Sequence, residues 1–164
     1  MTRIWSNAPA LIALASIAVL GSALASQYLG GLAPCDLCIY QRWPYVFTIV
    51  AGLAAWVMSS SPARPWLVAA CGVAFAIGGA IAFYHAGVEY GWFAGPTACS
   101  GEATSATTVE ELRRQLLAQP VVRCDEAAWT LFGVSMAGYN VVASAVLAGA
   151  SVIAAARMPR RRGA

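Results

Sequence analysis

Four long apolar runs constrain this chain most, because a helix that crosses the roughly 30 Å hydrocarbon core of a bilayer needs about 20 mostly apolar residues. The runs cover residues 9–29, 39–58, 66–85 and 129–156. Hydrophobic residues make up 60% of the chain and charged residues only 10%, whereas about 25% of a typical soluble domain is charged. The sequence therefore predicts an all-α membrane protein, a bundle of four transmembrane helices that forms a single domain over residues 1–164.

The one long polar stretch, residues 86–128, is predicted to be a loop between the third and fourth spans. Within it, Thr108-Val109-Glu110-Glu111 has the spacing of a capping box. Val109, Leu112 and Leu116 then share one face, which predicts a short amphipathic helix on the membrane surface. A helix that only fills the loop remains the alternative. The net charge of +3 is small, so we expect no nucleic-acid partner.

The first run has a second interpretation as a secretory signal. Arg3, the apolar stretch and the small-residue triplet Ala23-Leu24-Ala25 resemble a signal peptide with its cleavage site. The run is longer than the usual apolar core of such a signal, which favours an uncleaved span. Both interpretations place the chain after residue 29 on the outer side of the membrane.

The distribution of arginines predicts the topology, because basic residues near span ends are retained in the cytoplasm. With both termini inside, the inner face carries no acidic residue and the six arginines Arg3, Arg64, Arg157, Arg160, Arg161 and Arg162. All seven acidic residues then lie on the outer face, with the other four arginines.

This topology sorts the five cysteines. Cys35 and Cys38 lie at the outer end of the second span, Cys99 and Cys124 lie in the outer loop, and Cys71 lies within the third span. Four cysteines therefore face the compartment in which disulfides persist. Cys71 has no partner at its depth and is interpreted as a small apolar core residue.

Cys35-Asp36-Leu37-Cys38 is compatible with three kinds of site. Half of a zinc site is present, but Cys99 and Cys124 are 25 residues apart with no neighbouring ligand, so we expect no metal. A structural disulfide suits Cys99 and Cys124, whereas a bridge across two residues constrains the unfolded chain little and is often active in exchange. Redox chemistry is favoured for Cys38, which precedes a span and lies one helical turn from Arg42.

The sequence contains no haem attachment motif, glycine-rich nucleotide loop or set of iron-sulfur ligands. A quinone dissolved in the membrane is therefore the expected electron acceptor, with its head group beside the outer end of the second span.

Several motifs match one family. Cys35 to Arg42 reads Cys-x-x-Cys-Ile-Tyr-x-Arg, Tyr84-His85-Ala86-Gly87 ends the third span, Gly95-Pro96-Thr97-Ala98-Cys99 follows, and Cys124-Asp125-Glu126 leads into Trp129. Together they resemble the bacterial disulfide bond formation protein B family. Its members are multi-pass inner-membrane oxidases that re-oxidise periplasmic DsbA and pass the electrons to a quinone, either ubiquinone or menaquinone.

The resemblance implies a role for each residue. Cys99 would be attacked by reduced DsbA, and Cys124 would be its partner and then exchange with Cys35. That exchange would free the thiolate of Cys38 to donate to the quinone, with Arg42 polarising the quinone oxygen. His85 would be a quinone-pocket residue or proton donor, or simply an interfacial histidine.

Three questions remain open at the level of sequence. Position 41 is Gln where some family members have Glu, which removes a negative charge beside Arg42. Asn140 and Ser144 are one turn apart in the fourth span and are expected to bond to neighbouring helices. A non-enzymatic membrane protein with a disulfide-stapled loop and an oxidase that serves one dedicated substrate are the rival functions.

Overall fold

The computed structural model describes residues 2–96, 108–110, 113 and 122–158. This part of the chain contains five helices and one hairpin. They are α1 (Thr2–Tyr28), α2 (Asp36–Tyr40), α3 (Arg42–Val57), α4 (Arg64–Glu89), β1 (Thr130–Leu131), β2 (Val134–Ser135) and α5 (Met136–Arg157).

Three of these helices are long and apolar enough to cross a membrane: Trp5–Tyr28, Arg64–Glu89 and Met136–Arg157. They fall on the first, third and fourth predicted runs. The second run is divided at Gln41 into α2 and α3, and the 16 residues of α3 extend only about 24 Å. The crossing at residues 39–58, and with it the count of four spans, stays a prediction.

Two element boundaries differ from the ends of the predicted spans. The third span was predicted to end at residue 85, but α4 continues to Glu89 and includes the start of the predicted loop. The fourth was predicted to begin at residue 129, but residues 130–135 form an antiparallel hairpin in which Thr130 pairs with Ser135. Its two turn residues, Phe132 (φ 51°) and Gly133 (φ 76°), have the positive φ values of a type I′ turn. Because of this turn, the first residues of the apolar run do not form a helix. Ser135 then caps α5 by accepting the N–H of Gly138 at 3.1 Å.

Most of the predicted amphipathic helix lies outside the described residues, and Cys99 lies wholly outside them. Of the polar stretch, the structure describes residues 86–96, 108–110, 113 and 122–128.

The long helices pack in the order α1, α3, α4, α5, with each against the next. Tyr45, Val68, Phe75 and Ala154 belong to the buried core between them. Cys71 is fully buried in the same core, which confirms its interpretation as a small core residue. The helices approach closely at glycines: a Cβ on Gly52 would lie 3.0 Å from the carbonyl oxygen of Pro9 in α1.

Contacts between helix ends show which of them lie together at each end of the bundle. The Arg157 guanidinium lies 4.8 Å from the Trp5 ring centroid, so the last turn of α5 meets the start of α1. Arg64 at the start of α4 donates to the carbonyl oxygens of Ser6 and, at 3.1 Å, of Ala55. The start of α2, the end of α4 and the hairpin meet at the opposite end.

Candidate active site

Cys35 and Cys38 meet at the N-terminus of α2. Cys35 is the N-cap residue, and its sulfur accepts the backbone N–H of Cys38 at 3.3 Å. The two sulfurs lie 2.9 Å apart in a hydrogen bond, and Cys38 is its donor when Cys35 is ionised. Both cysteines are free thiols, with Cys35 buried and Cys38 half-buried. The structure therefore presents this pair in its reduced form.

The two sulfurs have opposite tendencies to ionise. The hydrogen bond from Cys38 lowers the pKa of Cys35 to about 4, with further help from His85 and the Cys38 N–H against the cost of burial. The same hydrogen bond, together with burial, raises the pKa of the Cys38 thiol. The charge of the reduced pair thus lies on Cys35. The sequence pattern favoured Cys38 because that residue precedes an apolar run, but the helix begins at Asp36 and its free N–H groups face Cys35.

α4 brings a histidine and a carboxylate to this pair. The Nε2 atom of His85 lies 3.5 Å from the Cys35 sulfur and 3.7 Å from Oε1 of Glu89, and both side chains are buried. Glu89 also accepts a hydrogen bond from the Ser135 hydroxyl, which ties α4 to β2. Glu89 belongs to no motif, and only its position four residues after His85 points to it in the sequence.

A chain of hydrogen bonds continues from His85 into the bundle. Gln41 Nε2 lies 2.7 Å from His85 Nδ1, and Gln41 Oε1 accepts from Asn140 at 2.6 Å. Tyr45 then donates to Asn140 at 2.5 Å and lies 2.9 Å from the Ser144 hydroxyl. Asn140 and Ser144 do bond to a neighbouring helix, as predicted. In this series of hydrogen bonds, Gln41 and Tyr45 are the residues that no sequence motif identifies.

A cavity of about 470 Å³ opens beside the sulfurs. Apolar residues of α1 and α5 line part of it, and Cys38, Arg42, His85, Glu89 and Glu126 also line it. Arg42 donates to the neutral amide of Gln27 at 2.7 Å, and no carboxylate of the described residues forms a salt bridge with it. Arg123 also lines the cavity, but it forms a two-pronged salt bridge to Asp125 at 2.6 and 2.9 Å. The cavity thus combines apolar walls with a cation near the thiols.

Cys124 lies next to the first pair. It is fully buried and disulfide-bonded, and it packs in one apolar cluster with Cys35, Leu37 and Val88. The structure brings together Cys35, Cys38, Arg42, His85 and Cys124 of the predicted site residues. The sixth, Cys99, lies outside the described residues.

The cysteine pair and His85 are close enough to suggest a metal site, since their nearest sulfur and nitrogen atoms lie within 4.8 Å of one another. Two sulfurs bound to a tetrahedral zinc at about 2.3 Å would be roughly 3.8 Å apart. The sulfurs here are 2.9 Å apart, closer than two sulfur ligands of one zinc. That geometry fits a thiol-thiolate pair better than a zinc site.

Comparison with known proteins gives a consistent picture. The family model described as "Disulfide bond formation protein DsbB" matches residues 6–154. A protein named Disulfide bond formation protein B from Polaromonas naphthalenivorans (strain CJ2) is 30% identical over 158 residues, 93% of this chain and 92% of its own. One of the same name from Haemophilus influenzae (strain 86-028NP) is 29% identical over 80% of this chain and 75% of its own. No match was found among solved structures.

Proposed function

The chain belongs to the disulfide bond formation protein DsbB family, and on that basis we propose that it is a membrane thiol:quinone oxidoreductase. Membership of this family implies that the chain has a role in disulfide bond formation, and its three long apolar helices fit a multi-pass membrane protein. The proposal is more specific. The chain re-oxidises a periplasmic DsbA-like dithiol oxidase by thiol-disulfide exchange and passes the electrons to membrane quinone.

The packing of Cys124 and Cys35 in one buried cluster carries this proposal. A relay between two thiol pairs needs a sulfur of one pair within reach of a sulfur of the other, and Cys124 and Cys35 share one buried cluster. We assign the first exchange to Cys99, which the partner's thiolate attacks to release Cys124. Cys124 then attacks Cys35 of the oxidised pair, so that a Cys35–Cys124 bond forms, the Cys35–Cys38 disulfide breaks, and Cys38 leaves as a thiolate. Cys38 needs no separate deprotonation in this order, so its raised pKa in the reduced pair is no obstacle.

The cavity beside Cys38 suits a quinone head group. Its apolar residues would suit the ring and tail, and the Arg42 guanidinium, bonded to the neutral Gln27 amide, would stabilise negative charge that develops on a ring oxygen. A bound quinone would supply the two-electron sink for the thiol pair. Cys38, Arg42 and His85 all line the cavity and would present a sulfur and two polar groups to the head group.

The partner sets a demanding redox requirement. DsbA is a strong oxidant at about −120 mV, and each 30 mV is about 1.4 kcal/mol for a two-electron couple. Structural disulfides below about −300 mV cannot oxidise it. The proposal therefore requires both cysteine pairs to be easily reduced.

The orientation that fits this chemistry is both termini in the cytoplasm of a bacterial inner membrane. The first turn of α1 and the last turn of α5 share one end of the bundle, and the cysteines lie at the other. That arrangement supports a periplasmic active site with arginine-rich inner ends.

Mutation of Cys38 tests the electron path. Purified chain mixed with reduced DsbA and ubiquinone should consume quinone, and Cys38→Ser should abolish this consumption because the thiolate proposed to donate to the quinone is lost. Cys71→Ala is the matched control and should retain it, since Cys71 lies in the core away from the site. Undiminished quinone reduction by Cys38→Ser would refute the path, and a wild-type chain that reduces no quinone would favour a non-enzymatic membrane protein.

Trapping with Cys124→Ser, followed by identification of whatever is bound to Cys99, would separate a general DsbA partner from a dedicated one.

A further inference from the structure

His85 is buried between two fixed groups, and one of them determines which ring nitrogen carries the proton. Nδ1 faces Gln41, and Nε2 faces the sulfur of Cys35 and the carboxylate of Glu89. A neutral imidazole has one N–H donor and one acceptor nitrogen, and its neighbours select between the two arrangements.

The orientation of the Gln41 side chain follows from its own neighbours. Gln41 Nε2 donates to the carbonyl oxygen of Leu37 at 3.2 Å, and a carbonyl oxygen can only accept. On its other side, Gln41 Oε1 accepts from Asn140 Nδ2 at 2.6 Å. Rotating the amide by half a turn would place an oxygen against the Leu37 oxygen. The nitrogen of Gln41 must therefore face both Leu37 and His85.

Asn140 is oriented in the same sense. Its Oδ1 atom accepts the Tyr45 hydroxyl at 2.5 Å, which leaves Nδ2 free to donate to Gln41. Each group from Tyr45 to Gln41 thus donates to the next in one direction, and the last donor in the series is the Gln41 N–H that points at His85 Nδ1 across 2.7 Å.

We propose that Gln41 is a positioning residue that holds His85 in the Nε2–H tautomer, so that the ring donates a hydrogen bond to the sulfur of Cys35. Nδ1 has to accept from Gln41, and the single ring proton is left on Nε2, 3.5 Å from that sulfur. In this state His85 is a donor to the Cys35 thiolate and not a base that removes its proton. Protonation of Nδ1 would set two donors against each other and break the contact with Gln41.

The surrounding charges define what this donor does. From α2 the sulfurs of Cys35 and Cys38 face the ring, and from α4 the Glu89 carboxylate lies 3.7 Å from the same Nε2. Ser135 of β2 donates to Glu89, while Arg42 and Arg123 at the cavity wall are bonded to Gln27 and Asp125. The Cys35 sulfur therefore receives three donors: the Cys38 thiol, the Cys38 N–H and the His85 ring.

This inference rests on the proposed function only for the role of Cys35 as a redox sulfur. The tautomer itself is a property of the folded, reduced chain and needs neither quinone nor a partner protein to be measured.

Nitrogen NMR of the reduced chain tests the tautomer directly, because His85 is the single histidine of the sequence. The chain labelled with ¹⁵N-histidine, in detergent or nanodiscs at neutral pH, should show a protonated Nε2 and an unprotonated Nδ1. In Gln41→Glu the carboxylate can only accept, so the proton should move to Nδ1. Gln27→Glu is the matched control; it introduces the same charge beside Arg42 and should leave the His85 pattern unchanged.

A second readout links the tautomer to the sulfur. Ultraviolet titration of the Cys35 thiolate should show a pH midpoint that rises by about one unit in uncharged Gln41→Leu, because the ring no longer presents Nε2–H alone. A protonated Nδ1 in the wild type would overturn the proposal, and so would an unchanged tautomer in Gln41→Glu with an unchanged midpoint in Gln41→Leu. A chain with the expected tautomer but no quinone reduction would instead sink the proposed function and leave this assignment intact.

Discussion

At the scale of single residues, the two cysteines of one motif differ in chemistry because the helix begins at Asp36, between them, and not after Cys38. Cys35 is the N-cap of α2 and accepts from the Cys38 thiol, the Cys38 N–H and His85. Cys38 donates a hydrogen bond to that sulfur and keeps its proton, because this bond raises the pKa of its thiol. The division of roles in the reduced pair is thus set by hydrogen-bond direction and not by residue type.

This difference predicts a pH dependence. Because the pKa of Cys35 is lowered to about 4, its thiolate should persist from neutral pH downward and disappear only as the pH falls through about 4. Thiolate absorbance of the reduced chain, followed during acid titration, should show this low step, and Cys35→Ser should lack it. A wild-type chain whose first thiolate appears only above neutral pH would contradict the assignment.

Two arginines at the cavity wall make a matched pair for a test of charge. Arg42 is bonded to a neutral amide, whereas the charge of Arg123 is balanced by Asp125. Loss of a hydrogen bond to a charged group costs about 1.5–3 kcal/mol, so Arg42→Gln should raise the KM for quinone by roughly 10- to 100-fold. Arg123→Gln should change it less than about threefold. Equal effects of the two substitutions on steady-state quinone reduction would argue against Arg42 as the quinone contact.

At the scale of elements, small residues let the helices approach closely. A Cβ on Gly52 of α3 would lie 3.0 Å from the Pro9 carbonyl oxygen and 3.3 Å from the Ala13 nitrogen, both backbone atoms of α1. Backbone atoms cannot move aside as a flexible side chain can. The α1–α3 contact therefore has little tolerance for added volume.

Gly52→Ala is consequently expected to destabilise the bundle by about 1–3 kcal/mol through overpacking. Gly21→Ala is its control, because a Cβ there would meet nothing within 4 Å. Thermal unfolding of both variants in one detergent should show a lower midpoint for Gly52→Ala alone. A midpoint equal to that of Gly21→Ala would mean that α1 and α3 can separate without cost.

The hairpin is a second case in which an element depends on a few residues. The apolar run that begins at Trp129 reads as one span, yet Phe132 and Gly133 adopt positive φ and Ser135 caps the following helix. This turn holds Ser135 against Glu89 and so contributes to the wall of the site.

At the scale of the whole molecule, the crossing predicted for residues 39–58 determines where the loops lie. If α2 and α3 complete a span, Leu29 after α1 and Ser60 after α3 lie on opposite sides of the membrane; both are exposed. In a background with the native cysteines replaced by serine, Leu29→Cys should react with an impermeant maleimide from the periplasm. Ser60→Cys should react only after the inner membrane is opened. Labelling of both positions from the periplasm would contradict the fourth span.

The sequence alone determined the membrane class, three of the span positions and the family, because these depend on the length of apolar runs and on residues adjacent in the chain. It also identified Cys71, Asn140 and Ser144 correctly as packing or helix-contact residues.

Only the tertiary structure decided which groups surround the sulfurs. Glu89, Tyr45 and Gln27 come from three different helices and Gln41 lies between α2 and α3. Their contacts depend on helix rotation, which a pattern of apolar residues fixes only approximately. The ionisation of Cys35 and the tautomer of His85 depend on hydrogen bonds 2.5 to 3.5 Å long. The contacts between Cys35 and Cys38 follow from their spacing at a helix start, whereas the contacts of His85 with Cys35 and Gln41 arise only where helices pack against one another.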